Sequence, residues 1–201
     1  MVNETSDRPT LTPKGARTRA RIVEAAAALI HERGVASTTL EDIRVAAGVS
    51  GSQMYHYFPD KSDLVDAVID YQANSIVSHH RQALDSAEGI QAWRSMVMTA
   101  AKRTKAKGGC PLGSLVGQVA ENDPEARALL ASAFNQWTAV IGDGLRSTYA
   151  DAKQPPDIDP DDLAITLLAT LEGGTLLSQV LQSAGPFETA LDTLLALAIG
   201  R

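Results

Sequence analysis

The chain has few of the residues that crosslink a protein or fill an aromatic core. Its single cysteine, Cys110, excludes an internal disulfide framework and is typical of a protein from a reducing compartment. Aromatic residues make up 4% of the 201 residues, so alanine, leucine and valine must supply most of the core. No segment alternates apolar and polar residues as a half-buried strand does, whereas apolar residues recur every three or four positions along most of the chain. The sequence therefore predicts an all-α protein of about nine helices.

Signatures of enzymes are also missing. The sequence contains no glycine-rich phosphate loop, no paired Cys/His metal ligands and no nucleophile elbow. Cys110 has no histidine close in sequence to act as a base, although a redox role for its thiol stays open. No N-terminal segment joins positive charge to an apolar run, so we expect no signal peptide. We expect a cytoplasmic protein that is not an enzyme and has no cofactor or metal site.

Charge is distributed unevenly along the chain, whose formal net charge is −6. Residues 1–62 contain 8 Lys and Arg against 7 Asp and Glu, whereas residues 63–201 contain 10 against 17. A basic N-terminal segment without an intervening acidic residue contains Arg8, Lys14, Arg17, Arg19 and Arg21. Such an arm can reach DNA phosphates or a minor groove, or it can be a solvated tail. The pattern favours an N-terminal DNA-binding unit attached to an acidic body, which discourages non-specific DNA binding.

The most informative segment begins at Thr38 and reads TTLEDIRVAAGVSGSQMYHYFPDK. Thr38 and Glu41 have the spacing of a capping box, which predicts a helix that begins near residue 39 or 40. Gly48 can end that helix in a left-handed conformation, and Ser50 is a good N-cap for a second helix over about residues 51–58. A helix, a short turn with glycine and a second helix form the pattern of a helix-turn-helix motif, whose second helix enters the major groove of DNA.

The second helix carries the polar groups that such a role requires. Gln53 can pair with adenine and Ser52 with several bases, and His56 is polar and planar. Tyr55 and Tyr57 place hydroxyls on rigid rings that suit phosphate contacts. Lys61 would lie unfavourably at a helix N-terminus unless a phosphate faces it. The alternative is an ordinary all-α core, because short helices joined by a glycine turn are common and aromatic residues at helical spacing are usually buried.

The run from Arg17 to Val68 resembles the N-terminal domain of the tetracycline-repressor (TetR) family. The resemblance rests on the Thr-Thr start of the second helix, the AGVS turn, the Tyr-x-x-Phe-x-x-Lys run and the Leu-Val start of the fourth helix. It implies an all-α homodimeric transcriptional regulator, usually a repressor released by a small ligand. By position it implies DNA contacts by Thr39, Ser52, Gln53, Tyr55, His56, Tyr57 and Lys61. We add the predicted cap residues Thr38 and Ser50 to this DNA-binding set.

We predict a DNA-binding domain over residues 1–60 and a ligand-binding and dimerisation domain over residues 61–201. Helical spacing, caps and breakers predict further helices over about residues 14–33, 60–84, 90–105, 113–121, 124–149, 160–182 and 187–199. His79 and His80 are adjacent in the fourth helix and face different sides, which argues against a shared metal site and favours a solvated surface for both.

The stretch from Leu163 to Leu181 is almost continuously apolar. Glu172 in its middle would cost about 2.5–3.5 kcal/mol in a membrane, so we expect no membrane span. A helix that is apolar on most sides is otherwise buried on most sides, with one face on its own body and the other on a partner. Small residues at Gly173, Gly174 and Ser178 would permit close approach. We therefore predict a homodimer through the eighth and ninth helices, which suits a palindromic DNA operator.

The residues that could line a ligand pocket are Trp93, Met96, Cys110, Phe134, Trp137 and Glu172. The alternative is that all of them belong to an ordinary core. Glu172 could meet a cationic ligand or lie at a surface or interface. The run GGCPLGSL is similar to the C-terminal domain of the LmrA-like branch of the TetR family, which implies a multidrug or antibiotic-type small-molecule effector. An adaptor that has kept the fold and lost DNA binding is a second possibility, which the polar second helix argues against.

Overall fold

The computed structural model describes residues 11–104, 108–152 and 157–199. Within these residues the chain forms nine helices and no strand, so the all-α prediction is confirmed. The helices are α1 Pro13–Arg33, α2 Leu40–Ala47, α3 Gly51–Tyr57, α4 Lys61–Leu84, α5 Ile90–Thr104, α6 Gly113–Val119, α7 Pro124–Ala150, α8 Pro160–Leu181 and α9 Gly185–Ile199.

Helices α1–α3 form a three-helix unit around the apolar face of α1. Ile22, Ala26 and Ile30 of α1 recur every four residues, and all three are buried because they share one face of the helix. Ile43 of α2 and Met54 of α3 close on that face and are also buried. The unit is therefore held by a few branched and flexible apolar side chains, as the scarcity of aromatic residues requires.

The basic N-terminal segment differs from the prediction. Helix α1 begins at Pro13, and the side chain of Thr12 caps it. Lys14 and Arg17 consequently lie on the exposed surface of α1 instead of on an arm that precedes it. Arg8 lies outside the described residues.

Helix α4 connects the three-helix unit to the body, which consists of α5–α9. Its first turns bury Leu64, Val65 and Val68, and its last turns bury His80 and Leu84. One continuous helix therefore joins the three-helix unit to the body, and the buried apolar residues of both belong to one cluster. The domain boundary predicted at residue 60 falls immediately before α4 and stays a prediction.

Two glycines permit close approach of helices within the body and between the body and α4. A Cβ added at Gly144 of α7 would stand 2.6–3.0 Å from side-chain atoms of Leu84, so α4 and α7 touch there with no space for a side chain. A Cβ at Gly174 of α8 would stand 2.5–3.2 Å from Phe187, which brings α8 against α9. These contacts fix the packing of the helices around the inner cavity described below.

Helix α8 is apolar on its inner face and on much of its outer face. Leu163, Leu167 and Leu171 are buried against the body. The outer apolar residues are 53–72% exposed, namely Ile165, Leu176, Leu177, Val180 and Leu181. Among the described residues, α8 is the one helix that is long and apolar enough to cross a membrane. In its most apolar stretch of 18 residues, 39% are buried. A core helix passes the same test, and an outer apolar face is equally what a partner chain would cover.

Candidate nucleic-acid interface and inner cavity

The first helix of the motif begins at Leu40, one of the two predicted starts, but its capping box differs from the prediction. The Thr39 hydroxyl accepts a hydrogen bond from the Asp42 backbone N–H at 3.1 Å, and the Asp42 carboxylate accepts one from Thr39 N–H at 2.9 Å. The capping box is therefore Thr39 with Asp42, and the predicted pair of Thr38 with Glu41 is wrong. Both pairs have the required spacing, so local sequence alone does not separate them.

Thr38 lies inside the protein, which corrects its predicted contact with DNA. Its side chain is 0% exposed. Its hydroxyl donates a hydrogen bond to the backbone carbonyl of Gly34 at 2.8 Å, within the loop that joins α1 to α2. Thr38 thus stabilises the loop that places α2, and Thr39 next to it is the exposed residue.

The turn and the second helix form as predicted. Gly48 has φ 62° and ψ 43°, a left-handed conformation that favours glycine. The Ser50 hydroxyl accepts a hydrogen bond from Gln53 N–H at 3.2 Å, and the Gln53 side-chain oxygen accepts one from Ser50 N–H at 3.0 Å. Helix α3 therefore has a complete capping box of its own.

Helix α3 presents its polar side chains to solvent. Met54 and Phe58 face the core and are buried. The exposed side chains are Ser52, Gln53, Tyr55 and His56, with Tyr55 62% exposed. Tyr57 is half-buried, and its hydroxyl lies 3.1 Å from the position that a Cβ of Gly15 would take. The polar side chains of this face are exposed, and their contact with DNA stays a prediction.

Two of the polar groups on this face already bond within the motif. The side-chain oxygen of Gln53 serves the cap, so Gln53 can donate its amide N–H groups to a base while its acceptor is occupied. The hydroxyls of Ser50 and Ser52 lie 3.0 Å apart and share a hydrogen bond. Tyr55 and His56 therefore have the greater freedom to adjust to DNA.

Lys61 links α4 to the loop after α1. Its ammonium donates a hydrogen bond to the carbonyl of Val35, and the backbone N–H of Val35 donates to the side-chain oxygen of Gln118 at 2.6 Å. An ammonium has three donors, so two remain for a phosphate in front of α4. Lys61 is half-buried, and its position is compatible with both a structural and a DNA-binding role.

Two arginines support the motif: Arg44, which the prediction did not include, and Arg19 of the basic segment. Arg44 bonds both carboxylate oxygens of Glu41 at 2.6 and 2.7 Å and the carbonyl of Val49 at 3.2 Å, which braces the turn before α3. This bond lowers the pKa of Glu41. Arg19 lies over the ring of Phe58, with 5.0 Å between the guanidinium carbon and the ring centre. The Glu41–Arg44 spacing is visible in the sequence, whereas the pairing of Arg19 with Phe58 depends on the fold.

The body contains an inner cavity of about 300 Å³, bounded mainly by side chains of α4, α5, α7 and α8 and by the segment before α6. Among the predicted pocket residues, Met96, Cys110, Trp137 and Glu172 line it. Trp93 and Phe134 do not, so their assignment to the wall is wrong. Trp93 is fully buried behind the wall, and Phe134 stacks on Trp137 with 6.2 Å between ring centres.

His80 lines the inner cavity and is 8% exposed, which corrects its predicted surface position, whereas His79 is exposed. Its Nδ1 accepts hydrogen bonds from the indole N–H groups of Trp93 and Trp137 at 2.8 and 3.0 Å. An Nδ1 that accepts carries no proton, so the neutral ring carries its proton on Nε2. Burial, and to a lesser degree the charge of His79, lowers the pKa of His80 to about 4.

Glu172 and Cys110 form the polar edge of the inner cavity. Burial raises the pKa of Glu172, and a hydrogen bond from the Cys110 thiol partly offsets the rise. Burial and then the charge of Glu172 raise the pKa of Cys110 to about 12. The thiol therefore stays protonated at neutral pH, which argues against the redox role left open above. In the part of the chain that the structure describes, no three His, Cys, Asp or Glu residues are grouped to hold a metal ion.

Two capped helices joined by a glycine turn, with an exposed polar face on the second, define the class of helix-turn-helix DNA-binding proteins. Residues 22–68 match the family described as bacterial regulatory proteins, tetR family, and residues 86–194 match the tetracyclin repressor-like C-terminal domain. The chain belongs to the TetR family. It is a DNA-binding transcriptional regulator and not an enzyme.

Relatives match along most of the chain. An uncharacterised HTH-type transcriptional regulator of Mycobacterium tuberculosis is 27% identical over 181 residues, which cover 85% of this chain and 88% of that protein. The HTH-type transcriptional regulator LmrA of Bacillus subtilis is 25% identical over 173 residues, 84% of this chain and 89% of LmrA. The crystal structure of a TetR transcriptional regulator from Chloroflexus aurantiacus superposes with a TM-score of 0.78 at 27% identity, covering 94% of this chain and 98% of that one.

Proposed function

We propose that the protein is a homodimeric repressor that binds a palindromic DNA operator and is released by a small hydrophobic ligand in the inner cavity. The exposed polar face of α3 carries this proposal. Ser52, Tyr55 and His56 stand on a short helix that is capped at its start and packed through Met54 and Phe58. A capped and packed helix with exposed polar side chains is what reading of base edges in a major groove requires.

The outer face of α8 supports the homodimer. Leu176, Leu177 and Val180 expose 53–72% of their surface on one stretch of the helix, and a second copy of α8 and α9 can cover them as a four-helix interface. A two-fold dimer would place two copies of α3 about 34 Å or a multiple of it apart, which matches successive half-sites on one side of a duplex.

Contacts between the body and the three-helix unit support release by a ligand. Gly108, at the edge of the segment that lines the inner cavity, packs on the ring of His31 of α1, because a Cβ at Gly108 would collide with that ring. Gln118 of α6 holds the backbone of Val35, to which Lys61 also bonds. A ligand that moves this segment or α6 would therefore shift the loop between α1 and α2 and, with it, the orientation of α3.

DNA retardation tests the first part of the proposal. The purified protein should retard a fragment from the region upstream of its own gene, with an affinity that falls steeply as salt rises. The double variant Tyr55→Ala/His56→Ala should lose this binding and still sediment as a dimer. A matched control is Tyr71→Ala/His79→Ala, since both residues are exposed on α4 away from α3. Equal retardation by the two double variants would contradict the role of α3, and failure of the wild type to retard any DNA would favour the adaptor alternative.

Lys61 provides a second test of the DNA contact. Lys61→Ala should weaken binding to all sequences alike and reduce the slope of log affinity against log salt by about 1, because one phosphate contact is lost. An unchanged slope would limit Lys61 to its bond with Val35.

A further inference from the structure

The walls of the inner cavity are apolar on most sides and carry a single carboxylate. Side chains of Ile76, Met96, Val97 and Leu171 contribute to the lining, and Phe187 closes it from α9. Among the described lining residues, Glu172 is the only aspartate, glutamate, lysine or arginine. A volume of about 300 Å³ corresponds to roughly ten water molecules, which is sufficient for a small aromatic or aliphatic ligand.

Glu172 is held in this cavity with one oxygen unsatisfied. Its Oε1 is buried and has no hydrogen-bond partner within the described residues. The other side of the carboxylate packs against the backbone of Gly113, where a Cβ would collide with Oε2. The Cys110 thiol, a weak donor, supplies a hydrogen bond to it. A buried carboxylate in this state gains more than any exposed one from a ligand that donates to it and neutralises its charge.

The remaining polar groups around the cavity do not oppose a cation. His80 is neutral, since two indole N–H groups occupy its Nδ1, and its N–H on Nε2 is a donor. The indole N–H of Trp137 donates to His80, so Trp137 can contact a cation only through the face of its ring. His31 contributes a buried Nδ1 without a hydrogen-bond partner among the described residues. The cavity thus offers a negative acceptor, an aromatic surface and neutral donors that include His80 and Thr175.

A second cavity adjoins the inner cavity at Glu172. An outer cavity of about 340 Å³ opens between α6 and α8, and Gly109, Cys110, Glu172 and Thr175 line both cavities. The outer cavity also contacts Leu176, which belongs to the exposed apolar face of α8. Glu172 therefore lies where the two cavities adjoin, so its carboxylate borders both.

We propose that the effector is a lipophilic cation, an aromatic or aliphatic amine that is protonated at neutral pH, whose ammonium group pairs with Glu172 while its apolar body fills the inner cavity. The proposal rests on the function proposed above and names the chemical class of its ligand. A neutral donor such as an alcohol would satisfy Oε1 and leave the buried charge uncompensated. An anion would bring a second negative charge to the carboxylate.

Three probes of equal shape test the charge requirement. They are biphenyl-4-methylamine, biphenyl-4-methanol and biphenyl-4-carboxylate, and their binding to the full-length protein is measured by calorimetry at pH 7. The wild type should bind the amine about tenfold more tightly than the alcohol, since hydrogen bonds to a charged partner contribute about 1.4 kcal/mol more than neutral ones. The carboxylate should bind most weakly. In Glu172→Gln, which keeps the shape and removes the charge, the ratio of amine to alcohol affinity should fall to about one.

A matched variant and a second readout separate this proposal from the proposed function. Glu121→Gln removes an exposed carboxylate in the turn after α6 and should keep the tenfold preference. Equal affinity for amine and alcohol in the wild type, or an unchanged ratio in Glu172→Gln, would overturn the cation proposal and leave release by a neutral ligand standing. Absence of binding by all three probes would also overturn it. Tight binding of the amine without displacement of operator DNA would support the cation site and contradict ligand-induced release.

Discussion

The three-helix unit and the body place their polar side chains on opposite sides. In the unit, Ser52, Tyr55 and His56 are exposed to solvent, and the hydrogen-bond partner of Ser52 is the nearby Ser50. In the body, His80 and Glu172 lie inside, and their partners come from distant helices. Contacts between near neighbours in sequence position the exposed polar side chains of α3. Contacts between distant helices position the buried polar side chains of the body. The unit should therefore lose DNA affinity on substitution with little loss of stability, and the body should lose stability and ligand response together.

The largest effect, on dimerisation and operator affinity, is expected at the exposed apolar face of α8. Leu177→Glu/Val180→Glu would place two charges on the exposed apolar face of α8 and should separate the proposed dimer. Loss of the second DNA contact should reduce operator affinity by about a hundredfold or more, because bivalent binding exceeds monovalent binding by 10²–10⁴. Sedimentation and DNA titration check both effects.

The control for this variant is Val116→Glu, which introduces a charge at an exposed apolar residue of α6. It should sediment as the wild type does. A wild-type protein that is monomeric at all concentrations would contradict the four-helix interface and would remove the contrast between the outer face of α8 and the rest of the surface.

The next largest effect, a loss of stability, is expected on substitution of the buried His80. His80→Phe leaves the indole N–H groups of Trp93 and Trp137 buried without an acceptor and should destabilise the protein by about 2–5 kcal/mol. Trp93→Phe removes one donor and should cost less than His80→Phe because the Nδ1 keeps its second partner. Denaturant melts of both variants measure the difference, and equal stability of His80→Phe and the wild type would contradict the proposed bond network.

The stability of the wild type should depend on pH through His80. Because burial lowers the pKa of His80 from 6.5 to about 4, the unfolded chain binds a proton in this range that the folded chain excludes. The contribution of neutral His80 to stability is complete above about pH 6.5 and should fall by about 3 kcal/mol as the pH decreases to 4. His80→Phe should lack this part of the acid sensitivity.

Sequence and structure agree where a structure depends on near neighbours. Gly48 ends α2 and Ser50 caps α3 as their residue types predict, because a cap needs only a few adjacent residues. The prediction and the structure differ where the burial of a residue depends on helices that are distant in sequence. His79 and His80 have the same local sequence context, and only the positions of α5 and α7 determine which ring is buried.

The errors at the motif and at the inner cavity have the same origin. Thr38 and Thr39 each precede an acidic residue by three positions, and the loop from α1 selects Thr39 because it bonds Thr38 through Gly34. The spacing of apolar residues in α5 and α7 predicts which side chains are buried. It does not predict which of the buried side chains line a cavity. Trp93 therefore lies behind the wall that Trp137 lines. The predicted domain boundary and the DNA-contacting residues other than Thr38 stay predictions.

A smaller effect should separate stability from DNA reading within α3. Tyr55→Phe removes one exposed hydroxyl and should change stability by less than about 0.5 kcal/mol while it weakens DNA binding about fivefold, since one hydrogen bond contributes about 1 kcal/mol. Gln53→Ala removes the acceptor of the cap and should lower stability by about 1 kcal/mol as well as alter sequence preference. Thermal melts and titrations on the operator and on a scrambled duplex measure both. Unaltered DNA binding by Tyr55→Phe would remove this hydroxyl from the interface.

The smallest effect is expected at the junction of the two regions, where acidic residues of α4 face the start of α7. Burial, and then the charges of Glu125, Asp123, Asp63 and Asp70, raise the pKa of Asp66 from 3.8 to about 6. The folded chain therefore holds a proton between these values that the unfolded chain has lost, so the stabilising contribution is complete below pH 3.8 and is lost as the pH rises through about 6.

Asp66→Asn should consequently be more stable than the wild type at pH 7.5, and the difference should vanish near pH 4. The gain should stay below about 1 kcal/mol because solvent screens the half-buried side chain. Glu24→Gln, which removes an exposed carboxylate of α1, should show no such crossover. If Asp66→Asn destabilises the protein at pH 7.5, the carboxylate contributes to the link between α4 and α7. The junction would then resemble the body, with its buried polar chemistry, more than the exposed surface of the three-helix unit.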